Sequence, residues 1–439
     1  MNYLSRVKKQ HESYLNLLRK YGLQSSGTDH WIYKYSPKKD IKKQGFKIHL
    51  SANTNNAVNI AEKFFKYNEI KKIDFKIVST LAKFDIQNTG ALGYSQVGKL
   101  ITIYPNNNTE FLCILNELEL IFKSDLSPEI PSDFRYMLSS VVNYRYGEIV
   151  TDSNYIDPRD KTIPNDVNIP VEDYYIPRLK ELPKHLLLLK VIKKTGKGGI
   201  YQCLDLKRNE LVLLKQGMNQ GDLTIYNVDT INLLSLEKRS LLKISAENHF
   251  PKFIDDFYLD NSYFLEIKYL NKMSLFQYMN KEILSSKEIM VVILKLIEII
   301  KILHEKYDII HRDISFNNVL IDDRMEISLI DFEFSYDLKQ WNPPSIIMGT
   351  PGFYNTQQLN ISYYTDVYSI INLLYFMDNF DLYCKYKNNH NQLILHRNST
   401  NNNSSSFNFI YAQAKLYSHR YSLDMLKHDL NALLNALNI

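Results

Sequence analysis

Alternating apolar and polar residues predict strands in the first third of the chain. In residues 46–51 every second side chain is apolar, so one face of the strand is apolar and the other carries Lys47 and His49 side by side. The same pattern predicts further strands over residues 73–78, 98–105 and 141–147. Helical spacing of apolar residues predicts helices over residues 4–21, 55–67 and 110–122.

A second series of elements begins at Leu186. Strands are predicted over residues 186–192, 200–205, 211–215, 250–257 and 263–270, and helices over residues 229–243, 289–304 and 410–437. The apolar run of the helix at 289–304 is interrupted by Lys295, Glu298 and Lys301. It is therefore expected to be a buried helix and not a membrane span.

The segment between the two series has a different composition. Prolines recur at intervals of six or seven residues, which excludes regular helix or central strand: Pro158, Pro164, Pro170, Pro177 and Pro183. The chain is therefore divided into residues 1–150, a Pro-rich linker at 151–185, and residues 186–439. A second low-complexity stretch, residues 387–408, is rich in Asn and Ser and is expected to be a disordered loop.

Composition describes an ordinary soluble globular chain. The 439 residues are 45% hydrophobic and 23% charged, and the net charge of +5 does not call for nucleic acid. Cys113, Cys203 and Cys384 lie far apart without metal-ligand spacing, which indicates a reduced, cytoplasmic protein. No apolar signal segment follows Met1, and no membrane attachment is expected.

The segment at 311–332 carries the most specific chemistry. Asp313 is followed five residues later by Asn318 and, after a predicted strand-turn-strand, by Asp331. Phosphoryl transfer needs one carboxylate that accepts the proton of the attacking hydroxyl, and an amide and a second carboxylate that bind Mg²⁺. A lone Asp would be read as a solvated loop residue, but the three in register predict a kinase-type catalytic loop. Asp366 is suited to brace the backbone of this loop.

Residues upstream fit the nucleotide side of such a site. Glycines in residues 195–201 would let backbone amides approach phosphates, and the nucleotide-binding residues predicted from this region are Gly196, Gly198, Gly199, Lys215 and Glu237. Tyr201 stands where a third glycine is usual, Ser315 replaces a lysine, and Glu333 follows Asp331-Phe332. None of these departures removes the base or a metal ligand, so an active kinase is favoured over an inactive one.

At this point the motifs of both halves resemble one family. Residues 195–201, 313–320, 329–333 and 349–353 are similar to the kinase domain of class III lanthipeptide synthetases, and residues 46–52, 75–76, 98–105 and 144–147 are similar to their N-terminal lyase domain. The resemblance implies an α+β protein. An N-terminal phosphoSer/Thr lyase-like domain would precede a bilobal protein-kinase-like domain, with lobes at about 186–270 and 271–439.

The resemblance also implies roles for the cations on the first strands. Read singly, each is as well explained as a solvated strand edge. In phosphothreonine lyases, which this domain resembles, a Lys acts as base and a His as acid, roles that carry over to Lys76 and His49. Lys47, Lys99 and Arg145 would bind the phosphate. Arg135 is a further candidate cation.

The function implied is that of a lanthipeptide dehydratase. With ATP or GTP and Mg²⁺ it would phosphorylate Ser or Thr of a precursor peptide, made of leader and core, and then eliminate the phosphate to leave dehydroalanine or dehydrobutyrine. No other metal, nucleic acid or membrane partner is expected. The family's C-terminal cyclase domain is missing, which implies a separate or removed cyclase. Two alternatives stay open: a Ser/Thr kinase whose N-terminal domain only binds phosphopeptide, and a non-catalytic scaffold for a leader.

Overall fold

The computed structural model describes residues 3–24, 27–35, 43–149, 157, 159–171, 181–221, 228–340, 342, 349–355, 361–399 and 406–436. The chain forms two compact units. The first comprises Met1–Asn232 with Asp255–Glu266, and the second comprises Leu233–Ile254 with Ile267–Ile439. Much of the predicted linker (150–156, 158 and 172–180) lies outside the described residues, so the boundaries at 150 and 185 stay a prediction.

The first unit contains a six-stranded antiparallel sheet in the order β1-β3-β4-β2-β6-β5. Its strands are β1 (Trp31–Lys34), β2 (Gln44–Ser51), β3 (Phe75–Val78), β4 (Lys99–Ile103), β5 (Phe134–Arg135) and β6 (Val142–Glu148). Its helices are α1 (Tyr3–Lys20), α2 (Ala57–Lys71), α3 (Leu81–Asn88) and α4 (Asn108–Phe122), with a 3₁₀ turn at Tyr94–Gln96.

Helices cover one face of this sheet and leave the other for polar groups. Phe64 of α2 packs edge-on against Phe75 with 5.0 Å between ring centroids, and Phe111 of α4 stacks on Phe46 at 4.9 Å. Burial of several such aromatic side chains, each contributing about 1.5–3 kcal/mol, stabilises this layer. Because side chains alternate along a strand, the neighbours of these residues point to the opposite face.

A second sheet of five strands in the order β10-β11-β9-β8-β7 completes the β structure of this region. The strands are β7 (Leu186–Thr195), β8 (Gly198–Asp205), β9 (Glu210–Met218), β10 (Phe253–Leu259) and β11 (Ser262–Lys268). Pairing of Thr195 with Gly198 closes a tight hairpin whose turn residues are Gly196 and Lys197.

The second unit is mainly helical. Its helices are α5 (Thr230–Lys243), α6 (Leu275–Met279), α7 (Ser286–Lys301), α8 (Tyr364–Asp378), α9 (Phe380–Tyr386), α10 (His390–Ser399), α11 (Asn408–Tyr417) and α12 (Leu423–Ala436). Short strands lie between them: β12 (Met273–Ser274), β13 (Ile309–Ile310), β14 (Val319–Ile321), β15 (Ile327–Leu329) and β16 (Tyr336–Asp337). The side chains of Ser285 and Glu288 form a capping box at the start of α7, and a π-turn at Ile302–Lys306 ends it.

The strands and helices predicted around the candidate sites are confirmed, but the C-terminal prediction is partly wrong. Residues 390–399, expected within a disordered loop, form α10, because Leu393 is fully buried and His390 accepts a hydrogen bond from Gly352 N–H (3.0 Å). Residues 400–405 of that predicted loop lie outside the described residues. The single helix expected over 410–437 is two helices, α11 and α12, separated at Ser418–Arg420.

Candidate functional sites

Asp366 at the start of α8 anchors the backbone that leads into the catalytic-loop motif. Its fully buried carboxylate accepts hydrogen bonds from the backbone N–H groups of His311 (2.8 Å) and Arg312 (2.7 Å). The imidazole Nε2 of His304 lies 2.8 Å from the same carboxylate. Arg312 has a φ of 73°, a backbone conformation that L-residues keep only when their surroundings fix it. The predicted bracing contact of Asp366 is therefore confirmed.

Asp313 is held by two neighbours that orient its carboxylate. Asn318 Nδ2 donates to Asp313 Oδ2 (2.8 Å) and to the Asp313 carbonyl (2.8 Å). Thr350 donates from both its backbone N–H and its hydroxyl to Asp313 Oδ1, at 2.8 Å each. The Asn318 contact joins two predicted site residues. Thr350, in the Gly-Thr-Pro segment, is a positioning residue that the motif reading did not assign.

His311 connects this loop to the segment of the second acidic residue. Its Nε2 lies 3.0 Å from the carbonyl oxygen of Ile330, and its ring packs edge-on against Phe332 with centroids 4.8 Å apart. Phe332 is fully buried, also in edge contact with Phe250 at 5.4 Å. The hydrogen bond and the ring packing hold residues 330–332, and with them Asp331, beside the loop that carries Asp313.

The acidic pair fits the predicted magnesium. Burial, and then the charge of Asp331, raises the pKa of the Asp313 carboxyl, as expected for two carboxylates that are close together. A divalent cation would relieve this repulsion. Because Asn318 uses its Nδ2 on Asp313, its Oδ1 is the atom suited to bind a metal. Asn318 and Asp331 stay the residues predicted to hold Mg²⁺.

The glycine-rich turn makes a contact that its sequence does not reveal. Gly196 N–H donates to the carbonyl of Thr89 at the end of α3 (3.2 Å), and a Cβ on Gly196 would meet Asn88 O at 1.5 Å. Only glycine permits this approach. Gly198 and Gly199 are the first residues of β8, which begins two residues before the predicted strand. The Gly196 amide, predicted to face a nucleotide phosphate, is instead bonded to the N-terminal region in this state.

Lys215 and Glu237 lie on the elements expected of them. Lys215 is a buried residue of β9 in the first unit, and Glu237 is a fully buried residue of α5 in the second. The kinase motif implies that Glu237 pairs with Lys215, and this pairing stays a prediction. Within the second unit, α5 is tied to the segment after Asp331 by the ion pair between Lys243 and Asp337 (2.7 Å).

Strand register gathers the basic residues of the first unit on one face of the six-stranded sheet. Lys76 pairs with Thr102, and Thr102 pairs with His49, so these three residues form one row across β3, β4 and β2. Lys47 lies opposite Arg145 in the next row. Directly paired residues project to the same face. Lys99 belongs with them, because it and His49 contact the same carboxylate, that of Asp133. We call this set the basic face: Lys47, His49, Lys76, Lys99, Thr102 and Arg145.

Asp133 is the carboxylate at the centre of the basic face. One of its oxygens is hydrogen bonded to His49 Nδ1, and the other lies 3.2 Å from Lys99 Nζ. Ser132 bridges the same groups, because its hydroxyl lies 2.9 Å from Lys99 Nζ and 2.7 Å from Asp133 Oδ1. Although burial opposes ionisation, His49 and Lys99 hold the pKa of Asp133 well below its usual range.

Burial and mutual repulsion shift the pKa values of the basic groups downward. Burial, and then the charge of Arg145, lowers the pKa of Lys47 to about 7. Burial, followed by the charge of Lys99, lowers the pKa of Lys76 to about 8, and its ammonium lies 4.4 Å from the ring centroid of Trp31. Burial lowers the pKa of His49 to about 3 although Asp133 opposes the shift. At neutral pH the imidazole is therefore uncharged in the free protein.

Two hydrogen-bonding groups on the basic face have no partner among the described residues. They are the hydroxyl of Thr102 and the Nε of Arg145, both on side chains that are at least 95% buried. An unpaired buried polar group costs about 1–3 kcal/mol, so such groups are uncommon unless a ligand completes them. A bound anion would satisfy a donor of this kind.

Arg135 does not join the basic face as a free cation. Arg135, on β5, pairs with Asn143 on β6. Its guanidinium is already used, because Nε donates to the Ser139 carbonyl (2.8 Å) and Nη2 to the Leu138 carbonyl. Two carboxylates took no part in the sequence prediction: Asp133, just before β5, and Asp157, after β6. Neither follows a strand pattern, and the only signal was an acidic residue near a basic strand.

Comparison with known proteins assigns both halves. Residues 189–433, more than half of the chain, match the protein kinase domain family. The chain belongs to the protein kinase family. Residues 14–166 match the RamC N-terminal domain family.

The chain is similar to three known proteins over parts of their length. It is 24% identical over 276 residues to a probable SapB synthase of Streptomyces coelicolor, covering 57% of this chain and 29% of that protein. It is 32% identical over 127 residues to the phosphorylase b kinase gamma catalytic chain, liver/testis isoform, of Bos taurus, covering 29% and 31%. It is 29% identical over 157 residues to the serine/threonine-protein kinase STE20 of Eremothecium gossypii, covering 32% and 16%. The aligned regions span less than a third of each relative's length.

These matches confirm the predicted resemblance to the class III lanthipeptide synthetases and the α+β fold with a C-terminal kinase domain. The kinase match supports an enzyme with kinase activity that uses a nucleotide. Within the described ranges, no helix combines the length and apolar character needed to cross a bilayer. The same ranges contain no group of three or more His, Cys, Asp and Glu side chains able to hold a metal.

Proposed function

We propose that this protein is a bifunctional dehydratase that phosphorylates Ser or Thr of a lanthipeptide precursor and then eliminates the phosphate. One observation carries the proposal. A face with four cationic side chains and one imidazole, on which burial lowers the pKa values of all three lysines, accompanies a kinase catalytic loop in the same chain. A phosphate made at one site would be a ligand for the other.

In the first step Asp313 accepts the proton of the peptide hydroxyl as the oxygen attacks the γ-phosphate of ATP or GTP. Thr350 and Asn318 fix the direction of its carboxylate through the contacts described above. Asn318 and Asp331 would hold Mg²⁺, which neutralises charge on the nucleotide phosphates when bound. The hydroxyl must lie within hydrogen-bond reach of the free lone pairs of Asp313.

In the second step the neutral amine of Lys76 takes the proton from Cα of the phosphorylated residue. The electron pair of the C–H bond forms the Cα=Cβ bond, and the Cβ–O bond breaks, so phosphate leaves with its bonding electrons. His49 donates a proton to the leaving oxygen, and the proton on Lys76 later returns to His49 through solvent. The net products are the dehydro residue and HPO₄²⁻. Lys47, Lys99 and Arg145 neutralise the departing charge.

His49 can serve as the acid only when the substrate is bound. Burial keeps its imidazole neutral in the free protein, with Nδ1 hydrogen bonded to Asp133. A phosphate dianion near Nε2 adds a second negative charge beside the ring and raises its pKa. Asp133 and the dianion would together stabilise the imidazolium, so the phosphate prepares its own proton donor.

The kinase with a phosphopeptide-binding N-terminal domain is the second candidate. Such a domain would bind phosphate best with fully charged lysines, whereas burial lowers the pKa of Lys76 toward neutrality. That shift is what a base requires and favours the lyase. A scaffold without catalysis would need neither the ordered Asp313 carboxylate nor this shift.

The three free cysteines fit a reducing compartment such as the cytoplasm.

The deciding experiment is mass spectrometry of a Ser-containing precursor peptide incubated with the full chain, Mg²⁺ and ATP or, separately, GTP. Net loss of water from the peptide is expected. Stable phosphopeptide as the final product would support the kinase activity and refute the lyase activity. Peptide unchanged with either nucleotide, while a premade phosphopeptide is eliminated, would refute the kinase half.

A further inference from the structure

The carboxylate of Asp157 forms an ion pair with the guanidinium group of Arg145. Nη1 of Arg145 lies 2.9 Å from Asp157 Oδ1, and Nη2 is hydrogen bonded to Oδ2. The Nζ of Lys47 lies 3.9 Å from the same carboxylate. This is the two-pronged geometry with which arginine binds either a carboxylate or a phosphate. Two of the cations assigned to the departing phosphate are thus occupied by an anion of the chain itself.

The surroundings of Asp157 are shaped to receive its carboxylate. The backbone N–H of Glu148 donates to Oδ2 (3.1 Å), and the N–H of Arg159 donates to Oδ1 (2.8 Å). A Cβ on Gly147 would lie 2.6 Å from Oδ2 and 2.9 Å from Nη2 of Arg145. A side chain at position 147 would therefore clash with the ion pair. With these contacts the carboxylate has two cations and two amides as partners.

The same cluster retains capacity for an anion beyond Asp157. The buried Nε of Arg145 and the hydroxyl of Thr102 have no partner among the described residues. Within the described residues Lys76 forms no ion pair with a carboxylate, and its ammonium lies over the ring of Trp31. A carboxylate carries one negative charge and two oxygens, whereas a phosphomonoester dianion carries two charges and three terminal oxygens. The dianion therefore matches this donor set better than Asp157 does.

We propose that Asp157 is a specificity-determining residue that occupies the phosphate subsite of the basic face until a phosphomonoester dianion displaces it. This inference rests on the proposed lyase function, whose phosphate subsite it refines. An anion with a single charge cannot outcompete a tethered carboxylate, so unphosphorylated acidic side chains of the peptide are rejected. The dianion gains the partners that Asp157 leaves unused.

Competition of this kind lowers the apparent affinity for phosphate by the fraction of molecules in which the subsite is open. With Asp157 in place in nine of ten molecules, the reduction is about tenfold. Asp157→Asn removes the charge with little change in shape. Apparent affinity for inorganic phosphate should then rise about tenfold, and KM for a synthetic phosphoserine peptide should fall about tenfold. The kcat for elimination should change less than about twofold, because Asp157 does not contact the reacting atoms.

The measurement uses the full chain without nucleotide, so that the kinase is idle. Isothermal titration with inorganic phosphate gives the binding constant, and absorbance of the dehydro product gives KM and kcat. Asp160→Asn is the matched control, because this carboxylate accepts a hydrogen bond from the N–H of Thr162 in its own turn (2.8 Å) and forms no ion pair among the described residues. The double variant Asp157→Asn/Arg145→Met should lose the gain, which assigns the binding to this subsite.

Phosphate binding that is unchanged or weaker in Asp157→Asn would overturn the proposal and make Asp157 a residue that only orients Arg145. A rise in KM with a fall in kcat would overturn it equally. If Asp157→Asn binds phosphate more tightly but neither the variant nor the parent protein eliminates phosphate from the peptide, the proposed lyase function is refuted. The proposal that Asp157 competes with phosphate would still hold. Should the variant not fold, hydrogen exchange at the Arg159 amide of the parent protein decides. Displacement of Asp157 by saturating phosphate makes that amide exchange faster, and unchanged or slower exchange would contradict displacement.

Discussion

In the proposed function the catalytic loop and the basic face both act on phosphate groups, yet the two sites are built in opposite ways. The loop gathers carboxylates, and burial with mutual repulsion raises the pKa of Asp313. The basic face gathers ammonium and guanidinium groups, and burial with mutual repulsion lowers the pKa values of Lys47 and Lys76. On our proposal the loop would act on a nucleotide phosphate that arrives with its Mg²⁺ counter-ion. The basic face would have to supply the positive charge from its own side chains.

The two sites also differ in where their supporting groups come from. Asn318 lies five residues from Asp313, and the contact between them follows from the motif. On the basic face the cations come from separate strands, and Asp133 reaches His49 across 84 residues of sequence. The catalytic loop also relies on Thr350, 37 residues from Asp313, but its Asp313–Asn318 contact stays within one loop. A site built from strand register depends on every strand keeping its alignment.

Asp313→Asn is expected to give the largest effect and tests whether the acidic loop alone makes the phosphate. Phosphorylation of the precursor should fall by about a thousandfold or more, because the amide cannot accept the hydroxyl proton. Elimination from a premade phosphopeptide should stay at the parental rate. Radiolabel transfer from nucleotide to peptide measures the first, with the exposed-site variant Asp323→Asn as control. Phosphorylation at the parental rate would exclude Asp313 as the base.

Lys76→Met tests the basic face in the same manner. Elimination should fall by about a thousandfold because no neutral amine remains to take the Cα proton, and phosphopeptide should accumulate when nucleotide is present. Lys66→Met is the control, since that ammonium is 62% exposed and pairs with Glu62. Mass spectrometry separates the two products. Dehydrated peptide formed at the parental rate would transfer the role of base to another group, with Lys47 first in line.

Asp133→Asn tests whether a buried carboxylate matters as much on the basic face as Thr350 and Asn318 do on the loop. We expect kcat for elimination to fall about a hundredfold, because His49 loses the partner that fixes its Nδ1 proton. Burying Lys99 without its counter-ion should also lower the free energy of unfolding by about 3–5 kcal/mol. Asp125→Asn, which breaks the 2.6 Å pair with Lys63, is the matched control. A loss of stability with unchanged kcat would make Asp133 purely structural.

The pH dependence of elimination gives the smallest and most diagnostic effect. The groups that shift the pKa of Lys76 are Lys99, Arg159 and Arg145, and burial lowers it to about 8. The neutral amine is the active form, so kcat/KM should rise about tenfold per pH unit below 8 and level off above it. Steady-state rates between pH 6 and 9 on a premade phosphopeptide measure this limb. A rate that falls over the range would contradict a lysine base.

Much of the fold followed from local pattern, and much of the basic face did not. The strands that carry Lys47, His49, Lys76, Lys99 and Arg145 were predicted because alternation fixes their faces. Strand β1 was not predicted, although Trp31 covers Lys76, because its four residues are too short for a period to be read. Asp133 and Asp157 lie on irregular segments, where sequence pattern does not determine which groups meet.

The C-terminal error has a similar origin. Asn- and Ser-rich composition favoured a loop over residues 387–408, but Leu393 is buried and the imidazole of His390 stacks on Tyr354 with centroids 4.6 Å apart. Tertiary packing outweighed local composition there. By contrast, the sequence placed Asp313 and Asn318 in one loop because only five residues separate them, whereas it did not reveal Thr350, 37 residues from Asp313.

The hydrogen bond from Gly196 to Thr89 bears on how such enzymes can be taken apart and recombined. A chain that starts after the proline-rich segment would keep every kinase motif but would lose the carbonyl on which its glycine-rich turn rests. Exchanging the N-terminal region for that of a relative would likewise need a matching α3 terminus. The kinase motifs can be recognised without the N-terminal region, but the conformation of this glycine-rich turn depends on it.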